Sequence, residues 1–600
     1  MSRFAARVED AVSAAVLTAM AVIPLLEIVL RRVLGMGIPG AGPIVQHLVL
    51  WIGFLGAAIA AREGRLLSLA TGSLVPAGWP RRITGTFAAA LGSAVSVVLM
   101  LAAVEFVQSE RGTGASFAAG IPTWVAELVL PVGFGLIALR LVWRASTGWW
   151  GRLLAATGLA AGWFAGTHPS LFEGHSPWPG LALVVLGGAL GTPIFAILGG
   201  AAVVLFMSDG VTPAAILIET YSLSVSPTLA AIPLFTLTGF LLAEGKASER
   251  LLRVFRSLVG WIPGGTAVVC AVLCSFFTAF TGGSGITILA LGGVLFPALV
   301  RDGYRERFSL GLLTASGSLG LLLPPSLPLM LYGVVAQMPI EDLFIGGLVP
   351  GILLTTMVAL WGMREGVVSG AGRQAFVWSE ARAALWEGKW EMAMPVVVLL
   401  ALFSGLATSI EAAALTALYA LFTQSVVHRD LSIRRDLLRV FAECVSLVGG
   451  VLVILGVAVG LTSWLVGAQV PMHLVEFTRA HIASRGMFLL ALNLFLILVG
   501  CLMEIFPAIV VVVPLIVPLG AAFDVHPVHL GIIFIANLEL GYLTPLVGLN
   551  ILLASYRFKR PVLEVARAAL PMAGILAAGV LVITYVPWLT LGLLRIMGRL

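Results

Sequence analysis

Apolar runs of about 18–25 residues recur from Ala11 to the C-terminus, each long enough to cross a hydrocarbon core of roughly 30 Å as a helix. Roughly 16 spanning or half-spanning segments can be counted this way. The runs are rich in Leu, Val, Ala and Gly and lack the short apolar/polar alternation of a lipid-embedded barrel, so the predicted fold class is an all-α polytopic membrane protein. The first four segments fall near residues 11–30, 44–61, 84–108 and 122–143, and arginine clusters punctuate them. With the N-terminus inside, Arg62, Arg65, Arg81 and Arg82, and then Arg140, Arg144 and Arg152, lie on the cytoplasmic side, leaving Arg31, Arg32 and Arg111 as exceptions to the positive-inside rule. The basic start followed by Ala11–Leu30, without a cleavage site, reads as a retained first helix.

A further apolar segment, Leu153–Gly166, leads into Thr167–Gly180 (THPSLFEGHSPWPG), which has no Lys or Arg and reads as an external loop. The predicted organisation is a four-helix domain at 1–150, a connecting helix and loop at 151–180, and a larger domain at 181–600. Within the last, amphipathic basic stretches such as Ala247–Gly260 (ASERLLRVFRSLVG) read either as interfacial helices or as ordinary cytoplasmic loop helices.

Composition removes the soluble alternatives, because 600 residues at 60% hydrophobic, 11% charged and a mean hydropathy of +1.06 cannot form domains with polar surfaces. The formal charge of +6 lies in short clusters at the ends of apolar runs, which is a pattern of membrane topology and not of nucleic-acid binding. Cys270, Cys274, Cys444 and Cys501 fall inside apolar segments with no companion ligands, so neither a disulfide framework nor a zinc site is expected. His168 and His175 fall in the external loop, where a surface role is expected. There is no GxxxxGK[ST] phosphate loop and no nucleophile–base–acid set, which excludes ATP-driven transport and hydrolytic chemistry; the chain reads as no enzyme.

Comparing the larger domain with itself reveals a weak internal repeat. In the first half, Phe280–Ile288 (FTGGSGITI) interrupts an apolar segment and Gly320–Gly333 (GLLLPPSLPLMLYG) follows, with Pro325 placed 44 residues after Thr281. In the second, Cys501–Val511 (CLMEIFPAIVV) is followed by Gly541–Leu552 (GYLTPLVGLNIL), with Pro545 placed 41 residues after Glu504. Gly311 and Gly531 are expected to begin the matching helices. Pro in mid-helix removes a backbone hydrogen bond and Thr-Gly-Gly-Ser-Gly cannot sustain a helix, so both pairs predict unwound backbone deep in the membrane. Such backbone is tolerated where it is buried in protein or lines a polar cavity, and its recurrence in two halves points to a transporter's binding site.

Ile232–Gly245 (IPLFTLTGFLLAEG), the TGGSG and PPS segments, Thr408–Ala420 (TSIEAAALTALYA) and the Gly500–Asn550 stretch, in that order, resemble the large M subunit of the tripartite ATP-independent periplasmic (TRAP) transporters. The resemblance covers about residues 180–600, and the preceding four-helix region is similar to the small Q subunit in size, helix count and position. It implies a bacterial inner-membrane permease for a small carboxylate, with an inverted-repeat elevator fold (repeats at roughly 181–390 and 391–600), a separate periplasmic binding protein as partner, and sodium as coupling ion with no other cofactor.

Carried over residue by residue, the resemblance puts Thr281, Gly282, Gly283 and Ser284 at the first hairpin tip, facing Pro324, Pro325 and Ser326 with one sodium between them. The second tip is Glu504 to Ala508, including Pro507, opposed by Thr544, Pro545, Gly548 and Asn550 around a second sodium; Ser284, Ser326, Thr544 and Asn550 face the substrate cavity. Hydroxyls and freed carbonyls suit a hard cation without burying excess negative charge. Where the family has a double proline this chain has Pro545-Leu546, so the second unwound region is expected to be shorter or differently hydrated. Glu411, Glu504 and Glu539 lie in apolar surroundings, where a carboxylate reads either as functional, as the cap of a broken helix or as a group near the lipid headgroups. Asn537 and Asn550 read equally as interhelical hydrogen-bond links. Two other functions compete: a stand-alone divalent-anion/sodium symporter, and a membrane assembly or export protein whose broken helices serve packing.

Overall fold

The computed structural model describes residues 3–68, 78–118, 120–372, 375–403, 407–433, 435–544 and 548–600. Among the described residues it is built of helices, with one short hairpin, Ser116–Ala118 paired antiparallel with Ile121–Pro122. Among the described residues 12 helices are long and apolar enough to span a membrane, and four shorter apolar ones (Trp178–Ala189, Ile194–Ser208, Gly265–Thr281 and Pro527–Gly541) accompany them. The chain divides into two compact units, Met1–Leu234 with Arg434–His473, and Phe235–Ile433 with Leu474–Leu600.

In the first unit the helices Arg3–Val33, Ala41–Glu63 and Trp79–Thr113 are followed by Thr123–Glu127 and Val129–Arg144, which meet at Leu128 where one continuous segment was expected. Ala41–Glu63 packs along Leu437–Gly467, a helix supplied from far down the chain. Small residues make that approach possible: a β-carbon added at Gly56 would lie 2.9 Å from the Gly449 Cα. In lipid, where helices gain little from apolar burial, such close packing is what holds them together. The same device joins Trp149–Thr167 to Trp79–Thr113, with Gly158 and Gly162 set against the backbones of Ala90 and Ala94.

In the second unit one order of elements occurs twice. Helices Gly265–Thr281 and Ser284–Arg301 form a hairpin, Glu306–Ser316 and Leu327–Val335 are the halves of a broken helix, and Ile340–Val368 follows. Likewise Arg485–Leu502 and Ile505–Ala522 form a hairpin, Pro527–Gly541 and Leu549–Phe558 are the halves of a broken helix, and Val562–Tyr585 follows. The halves exchange partners: Ser284–Arg301 packs on Leu549–Phe558, and Leu327–Val335 packs on Ile505–Ala522. Gly311 and Gly531 do not begin their helices, which start at Glu306 and Pro527. Each instead marks a close approach, Gly311 to the Ala568 backbone and Gly531 to the Tyr332 ring.

The amphipathic Ala247–Val259 helix sets its arginines into ion pairs inside the second unit. Arg250 is buried against Glu391 at 2.6 Å and Asp430 at 2.8 Å, while the exposed Arg253 pairs with Glu380 at 2.8 Å and with Glu387. The four cysteines are buried, free thiols.

Candidate functional site

Both breaks leave backbone groups that a helix cannot satisfy, and the second unit supplies partners for them. At the first hairpin, Gly265–Thr281 ends at Gly282, whose φ of 64° an L side chain rarely adopts, and extended Gly283 precedes Ser284 at the start of the next helix. A β-carbon on Gly282 would also run into Leu327, so the tip rests on the first residue of the helix beyond the Pro-Pro segment. Gly239, on Ala231–Glu244, closes the other side against the backbone of Phe280 and Thr281. Thr281, Gly282, Gly283 and Ser284 thus form the tip between the two helices, with Thr281 and Ser284 buried.

Facing this tip, Glu306–Ser316 ends and the chain runs through Gly317–Ser326 without regular helix. The Thr278 hydroxyl lies 2.8 Å from the Gly317 carbonyl and 2.8 Å from the Thr287 hydroxyl, and Thr281 approaches Thr287 at 3.3 Å. Three buried hydroxyls and a freed carbonyl therefore converge between hairpin and break, a donor set suited to a hard monovalent cation. Thr278, Thr287 and Gly317 were not singled out from sequence; the spacing of Thr278 and Thr281, one turn apart just before the glycines, is the signal that could have found the first. Pro324 and Pro325 are joined by a cis peptide, and Ser326 holds the cap position of Leu327–Val335 without a side-chain capping bond, its hydroxyl donating to the Leu321 carbonyl. Pro324 lines an apolar cavity of about 390 Å³ walled also by Phe276, Phe280 and Leu323.

The second hairpin tip is narrower than expected. Met503 and Glu504 alone are extended, and Ile505 begins the helix, so Pro507 and Ala508 lie inside its first turn. Proline is accommodated there because the first N–H groups of a helix have no intrahelical acceptor in any case. The Ile505 N–H donates to the Tyr542 hydroxyl at 2.6 Å, and the Thr544 hydroxyl lies 2.7 Å from the Gly541 carbonyl and 2.8 Å from Cys501 Sγ. The hairpin and its broken helix are therefore tied by Tyr542, which sequence reasoning passed over. Pro545 and Leu546 lie outside the described residues, and Gly548 resumes the chain as the cap of Leu549–Phe558. Asn550 is buried, donates to the Thr314 carbonyl at 3.1 Å, and has an Oδ1 without a partner. No hydrogen bond joins Ser284, Ser326, Thr544 and Asn550 to one another among the described residues.

The three carboxylates separate. Glu411 is the third residue of Ser409–Phe422 and makes a capping box with Thr408, so it is a helix cap. Glu504 holds the cap position of its helix without a side-chain hydrogen bond to the backbone there. Glu539 is buried with neither oxygen hydrogen-bonded. Asn537 donates to Asn493 at 2.5 Å, and Asn493 also accepts from Thr584 at 3.1 Å, making it an interhelical link.

Residues 181–589 match the "Tripartite ATP-independent periplasmic transporter, DctM component" family and residues 20–151 match the "Tripartite ATP-independent periplasmic transporters, DctQ component" family. The isethionate TRAP transporter permease protein DctMQ of Oleidesulfovibrio alaskensis is 34% identical over 78% of this chain and 74% of that protein. The C4-dicarboxylate TRAP transporter large permease protein DctM of Pseudomonas aeruginosa is 33% identical over 67% of this chain and 93% of its own length. The ectoine TRAP transporter large permease protein TeaC of Halomonas elongata is 31% identical over 66% of this chain and 93% of its own. With these relatives and its apolar helices, the chain is a multi-pass protein of the inner membrane. It belongs to the TRAP transporter family, as a permease in which the DctQ and DctM components are fused in one polypeptide.

Proposed function

We propose that this permease carries out sodium-coupled uptake of a small organic acid, sulfonate or sugar acid delivered by a periplasmic binding protein, with the body that holds both hairpins moving as one piece in an elevator-type cycle. The observation that carries the reading is the doubled hairpin and broken helix, the first pair joined by the Thr278 hydroxyl and the freed Gly317 carbonyl, the second by the Tyr542 and Thr544 hydroxyls. Oxygen donors of this kind replace a cation's hydration shell, and helix N-termini at the tips favour an anionic substrate. One net positive charge moving inward down 100 mV supplies about 2.3 kcal/mol, so excess sodium would drive accumulation of an anion. Relatives named for C4-dicarboxylate, isethionate and ectoine span different substrates, in keeping with selection residing largely in the soluble partner.

The test is uptake of a radiolabelled organic-acid panel into proteoliposomes, with the cognate binding protein present or absent and a sodium gradient imposed or collapsed. Uptake that needs both is the expected result. Uptake that needs sodium alone identifies a stand-alone symporter, and none under any combination overturns transport itself.

A further inference from the structure

The first unit carries a cavity of its own. It measures about 520 Å³ and is lined by Arg62, Leu136, Leu139, Arg140, Trp143 and Arg144. Leu136, Leu139 with Arg140, and Trp143 form one stripe of Val129–Arg144 at helical spacing, so an apolar track leads up to a cluster of guanidinium groups. Leu139 and Trp143 are exposed at 60% and 55%, so the track opens on the helix's outer side. Arg152 lies over the Trp143 ring at 4.3 Å.

The cations are unevenly satisfied. Arg62 pairs with Glu9 at 3.0 Å, Asp10 at 2.6 Å and Glu63 at 3.4 Å, and Arg65 pairs with Glu63 at 3.2 Å. Arg140, only 5% exposed, reaches Glu9 with one nitrogen while its Nε and Nη1 have no hydrogen-bond partner. Arg144 spends one nitrogen on the Arg62 carbonyl at 2.7 Å and makes no ion pair among the described residues. Glu9, Asp10 and Glu63 are thus shared by Arg62, Arg65 and Arg140, and Arg144 beside them adds a positive charge that no carboxylate among the described residues pairs. A guanidinium buried with two idle donors is unfavourable unless an acceptor reaches it, and its fork matches two oxygens of a phosphate.

We propose that this cavity binds one anionic phospholipid of the cytoplasmic leaflet, the class with a singly charged phosphodiester headgroup. Arg140 and Arg144 hold the phosphate, Trp143 marks the headgroup level as interfacial aromatics do, and an acyl chain lies along Leu139 and Leu136. The arginine end of this helix is the end that the charge pattern assigns to the cytoplasm.

The experiment uses the full chain in detergent, reading the thermal unfolding midpoint and native mass spectrometry during titration with phosphatidylglycerol, phosphatidylcholine or inorganic phosphate. Phosphatidylglycerol is expected to raise the midpoint and to remain as a single adduct, with apparent affinity about ten-fold weaker in Arg144→Gln, the loss of one charge-assisted contact. Arg144→Gln leaves the Arg140–Glu9 pair untouched and so keeps the fold even if Arg140→Gln does not. An equal response to phosphatidylcholine, an unchanged affinity in Arg144→Gln, or a response to inorganic phosphate alone overturns the lipid site.

Discussion

Asn550 donates its side-chain N–H to the main-chain carbonyl of Thr314 across 3.1 Å. Thr314 lies in the last turn of Glu306–Ser316, where carbonyls have lost their intrahelical donors, so the second broken helix caps the first. Asn550→Leu should leave that buried carbonyl unsatisfied and cost on the order of 1–3 kcal/mol, read as a lower thermal unfolding midpoint in detergent. An unchanged midpoint would show that water reaches Thr314 and that the two repeats do not depend on this link.

Gly282 tests the geometry of the first tip. At φ 64°, and with Leu327 where its β-carbon would stand, alanine meets both a conformational and a steric obstacle. The left-handed conformation alone costs an L residue roughly 1–2 kcal/mol. Gly282→Ala should cut uptake severely while elution on size exclusion stays that of the parent. Gly283, whose φ of −132° any residue adopts, is the control: Gly283→Ala should retain much more activity.

The Ala247–Val259 helix offers a comparison between two arginines three residues apart. Glu391→Ala removes the fully buried partner of Arg250 and should cost about 3–5 kcal/mol, because a charge is left desolvated and only Asp430 and Gln424 remain to it. Arg253→Ala breaks pairs on the exposed face and should leave the unfolding midpoint unchanged within error. The hydrogen bond from Arg253 holds the Glu380 carboxyl below the usual carboxylate range. Its small contribution is therefore complete above that range and fades as pH falls through the lowered value. Equal losses from the two substitutions would mean that the burial of Arg250 carries no energetic weight.

How much of this was legible in the sequence differs from residue to residue. Thr281–Ser284 and the Pro-Pro segment were readable because glycine and proline act on their own backbone, wherever the rest of the chain lies. Pro507, which the resemblance put at the second tip, lies in the first turn of Ile505–Ala522, where a proline breaks nothing. The pairing of Ser284–Arg301 with Leu549–Phe558, and of Ala41–Glu63 with Leu437–Gly467, left no local mark. In membrane helices every face is apolar, so hydrophobic periodicity does not say which face meets which partner. Tyr542 escaped because a tyrosine's role as acceptor for a distant N–H depends on the fold already being in place.

Two hydroxyls beyond the Thr278, Thr281 and Thr287 cluster test the coupling hypothesis at both tips. Ser284 begins the helix at the first tip, and Thr544 closes the end of Pro527–Gly541 at the second. If both pairs of elements hold sodium, Ser284→Ala and Thr544→Ala should each raise the half-saturating sodium concentration about three- to ten-fold, one hydroxyl ligand contributing on the order of 1 kcal/mol. Thr544→Ser separates this from packing, because it keeps the oxygen and gives up only the methyl group. Recovery of sodium affinity in Thr544→Ser with continued loss in Thr544→Ala is the expected pattern. Sodium activation unchanged in both alanine variants would leave the hairpins as structural breaks and return the coupling ion to other groups, with the unpaired Glu539 carboxylate the next place to look.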